Sequence, residues 1–187
     1  MSYKPIIIIA GEPNSIFLEI FFKTFKKKKF KSPILIICSY KLFLMQMKKL
    51  NYNYKVNLIN EINIKSNLKK NKINLLNVNY KPKKAFEKIS SKSNKYIESC
   101  FNIAIKLLKS KVSDKLINGP ISKKYFLKNK YLGITEYLAK KTKTKKFAML
   151  IYNKKLSVVP ITTHLPIKYV AKKINKKAII DKIQIIN

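Results

Sequence analysis

Residues 5–10 read Pro-Ile-Ile-Ile-Ile-Ala and residues 33–38 read Pro-Ile-Leu-Ile-Ile-Cys, two short runs with no polar position in either. A strand with one face in water alternates apolar and polar residues, so an unbroken apolar run predicts a strand covered on both faces. That condition is met in a parallel sheet sandwiched between helices. The intervening segments agree with it. Gly11-Glu12-Pro13-Asn14 reads as a turn, Ser15 to Phe25 has helical apolar spacing, Lys41 to Leu50 reads as a second helix and Tyr54 to Ile59 as a further strand. Alternation of this kind predicts an α/β fold with a mainly parallel sheet and flanking helices.

Between Asn60 and Lys92 the chain is rich in Lys and Asn and reads mostly as loop, with one strand candidate at Ile73 to Val78. Ser93 to Leu108 carries Ile97, Phe101, Ile105 and Leu108 at helical intervals, an amphipathic helix leading into a short strand at Lys115 to Ile117. Asn118 to Lys123 is a turn in which Ser122 can cap a short helix to Leu127. Thr135 or a neighbour caps a helix running through Lys140. Phe147 to Tyr152 and Leu156 to Pro160 read as a hairpin, Pro166 to Ile174 as a helix opening on proline, and Ala178 to Ile186 as one more helix. No internal repeat of fixed period is present.

The formal charge is +34, a value that invites a polyanion partner. Every one of the 42 basic residues is lysine, however, and the bidentate guanidinium fork of a dedicated nucleic-acid binder is missing. The lysines are spread among Asn and Ile, with Lys26 to Lys29 the one dense cluster. Lys, Asn and Ile share AT-rich codons, so compositional drift accounts for the charge better than selection for nucleic acid does. No apolar run approaches the roughly 20 residues of a membrane span, and the first residues lack a signal-peptide layout. A soluble, cytoplasmic protein without a membrane partner is expected. Cys38 and Cys100 share no motif and stand in apolar surroundings, which predicts buried free thiols.

Chemistry can enter at few places. The one histidine, His164, follows an apolar segment in Val158-Val159-Pro160-Ile161-Thr162-Thr163-His164-Leu165-Pro166. Imidazole is the commonest metal ligand and acid/base group near neutral pH, although many single histidines are surface or structural residues. The three glycines, Gly11, Gly119 and Gly133, each stand at a strand-to-helix junction or a helix start. Such positions let main-chain N–H groups approach a ligand, and they equally serve turns that demand glycine.

Gly11-Glu12-Pro13, Asn118-Gly119-Pro120-Ile121-Ser122-Lys123, Gly133-Ile134-Thr135-Glu136-Tyr137-Leu138 and Thr162-Thr163-His164-Leu165-Pro166 resemble, in order and with compatible gaps, four motifs of the 4-hydroxythreonine-4-phosphate dehydrogenase family. Those motifs read GEPxGxGPE, TGPxxK, GHTEFL and TTHLP. The resemblance implies a fold like that of isocitrate and isopropylmalate dehydrogenases, here incomplete at the C-terminus. It places residues 1–117 in the first α/β lobe and residues 118–187 at the beginning of a second, dimerisation and metal-site lobe. It implies NAD-dependent oxidative decarboxylation of 4-phosphohydroxy-L-threonine in pyridoxal phosphate synthesis, with a divalent metal (Zn, Mg or Co) and a homodimer when complete. His164 then matches a metal-binding histidine, Thr135 a substrate-contacting threonine, Lys123 the motif lysine with a catalytic role, and Glu12 the acid of the first loop.

The sequence also departs from the family. Ile134 replaces a substrate-contacting histidine, while Ser15, Phe17 and Leu18 replace two glycines and a proline of the first loop. A site made of three histidines cannot be built from one, so the resemblance implies that the other metal histidines, the phosphate contacts and most NAD contacts belong to a longer protein. The alternatives are a non-catalytic relative that binds a metabolite or partner, supported by Ile134, and a basic nucleic-acid-binding protein.

Overall fold

The structure is a computed structural model that describes residues 3–128 and 130–186, apart from the side chains of residues 63 and 65. It divides into two compact units, Met1–Phe126 and Leu127–Asn187. In the first unit β1 (Ile6–Ile9), β2 (Ile34–Cys38), β3 (Val56–Ile59), β4 (Ile73–Asn77) and β5 (Lys115–Asn118) form one sheet in the order β3-β4-β2-β1-β5. Every pairing is parallel, with Ile8 opposite Ile36 on one side and Ile117 on the other. The expected parallel sheet is therefore present.

Both faces are covered, which is what the uninterrupted isoleucines require. On one face α1 (Phe17–Lys27) and α2 (Tyr40–Lys49) lay Leu18, Phe21, Phe22, Phe43 and Met47 over Ile8, Ile36 and Leu75. Side chains alternate along a strand, so Ile7, Ile9, Leu35 and Ile37 point the other way, and they too are fully buried. That second face is packed by α4 (Asn94–Lys109), which lies against β1 and β2 and buries Ile97, Phe101 and Ala104. Cys38 and Cys100 are buried and unpaired, as expected. Burial pushes both thiols up, Cys100 to about 12, and makes them poor nucleophiles.

The Lys/Asn-rich middle holds more structure than a loop. A short 3₁₀ turn (Glu61–Asn63) and α3 (Ile64–Asn67) precede β4, and β4 is an interior strand between β3 and β2. Its Asn74 is fully buried. The side chain donates to the carbonyls of Ile34 (2.8 Å) and Lys69 (3.0 Å) and accepts from the Lys69 amide (2.8 Å), so its polar atoms are satisfied inside the sheet.

The second unit contains α5 (Ile134–Thr142), a 3₁₀ turn (Ile167–Tyr169), α6 (Val170–Lys173) and α7 (Lys176–Ile186). The expected hairpin at Phe147 to Pro160 is corrected to a single antiparallel bridge, Ile151 with Val158, closed by two 2.9 Å hydrogen bonds. The reason is burial: Ile151 is 58% exposed and Leu156 70% exposed, and a two-stranded ribbon without a packed face does not extend its ladder. The helix expected over Pro166 to Ile174 is likewise shortened to the 3₁₀ turn and α6. Lys182 on α7 donates to the Phe147 carbonyl (2.9 Å), tying the last helix to the bridge region.

Candidate functional site

Ligands of open parallel sheets are bound beyond the carboxyl ends of the strands, and here the loops leaving β1 and β5 meet at neighbouring strand ends. The Gly119 amide donates to the Ile9 carbonyl (2.7 Å) and the Glu12 amide donates to the Pro120 carbonyl (2.8 Å). Gly11 has a φ of +76°, and a Cβ there would lie 2.8 Å from the Gly119 carbonyl carbon and closer still to the Pro120 oxygen. A Cβ on Gly119 would lie 2.8 Å from the Ala10 carbonyl carbon and 2.9 Å from the Phe17 ring. Of the two roles open to these glycines, the structure shows loop packing. Phe17, standing where the resembling motif has a glycine, fills the space beside Gly119.

Glu12 lies beneath this contact, only 3% exposed. The Ser93 hydroxyl is 3.2 and 3.0 Å from its two carboxylate oxygens, and the Asn14 amide donates at 3.4 Å. Burial holds the carboxyl above its ordinary range, and the hydrogen bonds from Ser93 and Asn14 partly offset this. The folded state consequently binds the Glu12 proton more tightly than the unfolded chain. The stability this contributes is complete below the usual carboxylate pKa and is lost as pH rises through the folded value. For Glu12→Gln, which cannot ionise, urea midpoints are expected to fall less than those of the parent between about pH 4 and pH 7. Parallel midpoint curves for the two proteins would contradict the assignment.

Gln46 of α2 completes the support. Its amide nitrogen donates to the carbonyls of Pro13 (2.8 Å) and Ala85 (2.7 Å), joining the first loop to the segment after β4. Asn14 adds a second tie by accepting from the Glu87 amide (3.0 Å). Sequence reading did not single out Gln46, Ser93 or Asn14. Gln46 did leave a signal: it is a polar residue on the face that Leu42, Phe43 and Met47 make apolar.

The remaining candidates lie apart in the chain's organisation. Lys123 is exposed at the start of a π-helical turn (Lys123–Leu127), with the Ser122 hydroxyl accepting from the Tyr125 amide (3.1 Å) as the expected cap. Ile134 and Thr135 open α5 in the second unit, both half-buried. His164 is exposed in the same unit at a φ of +56°. Among the described residues no hydrogen bond joins it to Thr135, and no group of three His, Cys, Asp or Glu is placed to hold a metal ion. No helix among them is long and apolar enough to cross a membrane.

Comparison with known proteins extends over nearly the whole chain. A 4-hydroxythreonine-4-phosphate dehydrogenase of Sulfurihydrogenibium sp. (strain YO3AOP1) is 34% identical over 183 residues, which are 96% of this chain and 56% of the relative. One from Aquifex aeolicus (strain VF5) is 41% identical over 73 residues, 38% of this chain and 23% of that protein. The chain thus spans about half the length of the first of these relatives. Crystal structures of the Burkholderia phymatum and Klebsiella pneumoniae enzymes of that name superpose with TM-scores of 0.83 and 0.80, at 20% and 21% identity. Each superposition covers 98% of this chain and 57% of the other, and shows the shared fold. The model of the family described as pyridoxal phosphate biosynthetic protein PdxA matches residues 29–187, and the chain belongs to that family.

Proposed function

We propose that this chain forms the amino-terminal part of an NAD-dependent 4-hydroxythreonine-4-phosphate dehydrogenase acting in pyridoxal phosphate synthesis. In this reaction hydride leaves the carbon bearing the 3-hydroxyl for NAD, the hydroxyl proton goes to a base, and the resulting β-keto acid loses carbon dioxide to give 3-amino-2-oxopropyl phosphate. The observation that carries the reading is the family match over residues 29–187, within which Thr162-Thr163-His164-Leu165-Pro166 resembles the motif that supplies a metal-binding histidine.

A divalent metal, when bound, supplies Lewis-acid stabilisation of the negative charge that develops on substrate oxygen. His164 is one donor for it. The described residues bring no cluster of further donors to that point. The other residues have roles their chemistry permits. The Thr135 hydroxyl can hydrogen-bond a substrate oxygen, Lys123 can pair with its phosphate or carboxylate, and Ile134 offers only an apolar surface where the family motif has a histidine. We place the complete enzyme in the cytoplasm as a homodimer, the family's expected arrangement.

The test is turnover by the complete enzyme of 4-phosphohydroxythreonine with NAD, followed as NADH and carbon dioxide. His164→Ala is expected to lower turnover at least about 100-fold, the upper end of the loss seen when even an outer partner of a metal site is removed. Thr135→Val is expected to act mainly on KM. A folded complete protein that yields no NADH would overturn the reading in favour of a non-catalytic relative, the reading Ile134 favours.

A further inference from the structure

The helices that follow neighbouring strands β2 and β4 lie on opposite faces of the sheet, since α2 packs with Ile36 and Leu75 while α4 covers the other side. Where connections diverge in this way, a crevice opens beyond the carboxyl ends of the two strands. Here it is a groove of about 440 Å³ lined by Lys81, Lys83, Lys92, Lys95, Tyr80 and Tyr96. We propose that this groove binds a small phosphorylated or pyrophosphate-bearing metabolite.

Three observations carry the proposal. First, the groove is net positive, with four lysines against the one carboxylate Glu87, whose charge acts on Lys83 and Lys92. No salt bridge joins any of the four lysines to a carboxylate among the described residues. The single lining carboxylate, Glu87, accepts from the backbone amides of Lys83 (3.0 Å) and Lys84 (3.3 Å). Its role is to shape the segment that carries two of the lysines.

Second, the walls are fixed to the sheet. The Ser39 amide, just past β2, donates to the Tyr96 hydroxyl (3.0 Å), and the Ser39 hydroxyl reaches the Tyr80 carbonyl (3.5 Å). The two tyrosine rings pack 4.8 Å apart. Third, the groove shares its supports with the first loop, because Glu87 bonds Asn14 and Ser93, next to Lys92, bonds Glu12. Lysines presented as point charges over a rigid concave wall suit the several oxygens of a phosphate group, and the volume suits a metabolite. Clustered charge in a crevice also concentrates anions above bulk.

The denser run Lys26 to Lys29 provides an internal control, since it spans the last turn of α1 and the residues leading towards the amino end of β2, beside Phe25, Phe30 and Asn71. The experiment titrates inorganic pyrophosphate into the complete protein at about 0.15 M salt, where exposed charges are well screened. One variant carries Lys81, Lys83, Lys92 and Lys95→Gln, the other Lys26, Lys27, Lys28 and Lys29→Gln, so both lose the same charge. Saturable binding is expected, weakened at least about tenfold in the first variant and by less than about twofold in the second. Equal weakening in both, or no saturation by the parent, would overturn the proposal and show a diffuse positive field only. Should the first variant not fold, the pairs Lys81/Lys83→Gln and Lys92/Lys95→Gln each carry the same expectation at smaller size. Because binding is read without turnover, this result is independent of the dehydrogenase reading.

Discussion

Replacing Gly119 by alanine is expected to destabilise the first unit by about 3 kcal/mol, the upper part of the range for forcing atoms into a packed site. The new methyl would lie 2.8 Å from the Ala10 carbonyl carbon and 2.9 Å from the Phe17 ring. The ring can turn, but the carbonyl cannot move freely. It belongs to the backbone that continues β1, and the Gly119 amide itself donates to Ile9 at 2.7 Å, so shifting either loop breaks the contact between strand ends. Gly133→Ala is the matched comparison. Its Cβ would meet only the Glu136 carboxylate oxygen at 3.1 Å, the mobile end of a side chain, and its backbone is extended. Urea midpoints measured on both variants check the contrast: similar small losses would show that the two loops are not in contact as described.

Phe22→Ala is expected to cost about 4 kcal/mol, within the usual range for emptying a fully buried aromatic site. Phe22 is 0% exposed and its ring lies 5.1 Å from Phe43, 5.2 Å from Tyr52 and 5.8 Å from Phe21. Several of those neighbours are rings, which cannot bend into the space as a methionine could, so the cavity stays largely open. Phe22→Leu keeps most of the volume and is expected to lose much less. Chemical denaturation distinguishes the two; a loss below about 1 kcal/mol for the alanine variant would mean the aromatic cluster repacks.

The two predictions separate what residue type alone conveys from what contact conveys. Phe22 belongs to a helical apolar stripe visible in the sequence, so its burial was legible. That Gly119 must be glycine was only half legible: its place at a junction was clear, but the atoms that exclude a Cβ come from Ala10, just past β1, and Phe17 of α1, more than a hundred residues earlier. Glu12 is similar. The sequence offers a carboxylate in a loop before a helix, while its burial and its bond to Ser93 depend on α4 returning to the carboxyl edge of the sheet.

β4 shows why part of the fold was obscure. Ile-Asn-Leu-Leu-Asn in a Lys/Asn-rich stretch carries little pattern, because Asn74 interrupts an apolar run. The interruption is tolerated because backbone groups of Ile34 and Lys69 satisfy the amide, and those partners are set by sheet order. The hairpin near residue 155 failed for the opposite reason. Its strand-forming residues were correct locally, but pairing beyond the Ile151–Val158 bridge needs a buried face that the second unit does not give them.

Local chemistry therefore determined the parallel α/β class, the main helices, the burial of both cysteines and the short list of residues able to carry chemistry. Two-sided apolar strands and helical stripes act within a few residues, and so can be read along the chain. Tertiary structure alone decided the strand order, the packing role of Gly11 and Gly119, the raised affinity of Glu12 for its proton and the anchoring of Tyr80 and Tyr96, beside the four lysines, to Ser39 at the end of β2. Each of these rests on contacts or burial set by chain segments distant in sequence, and desolvation and charge depend on which segments fold together.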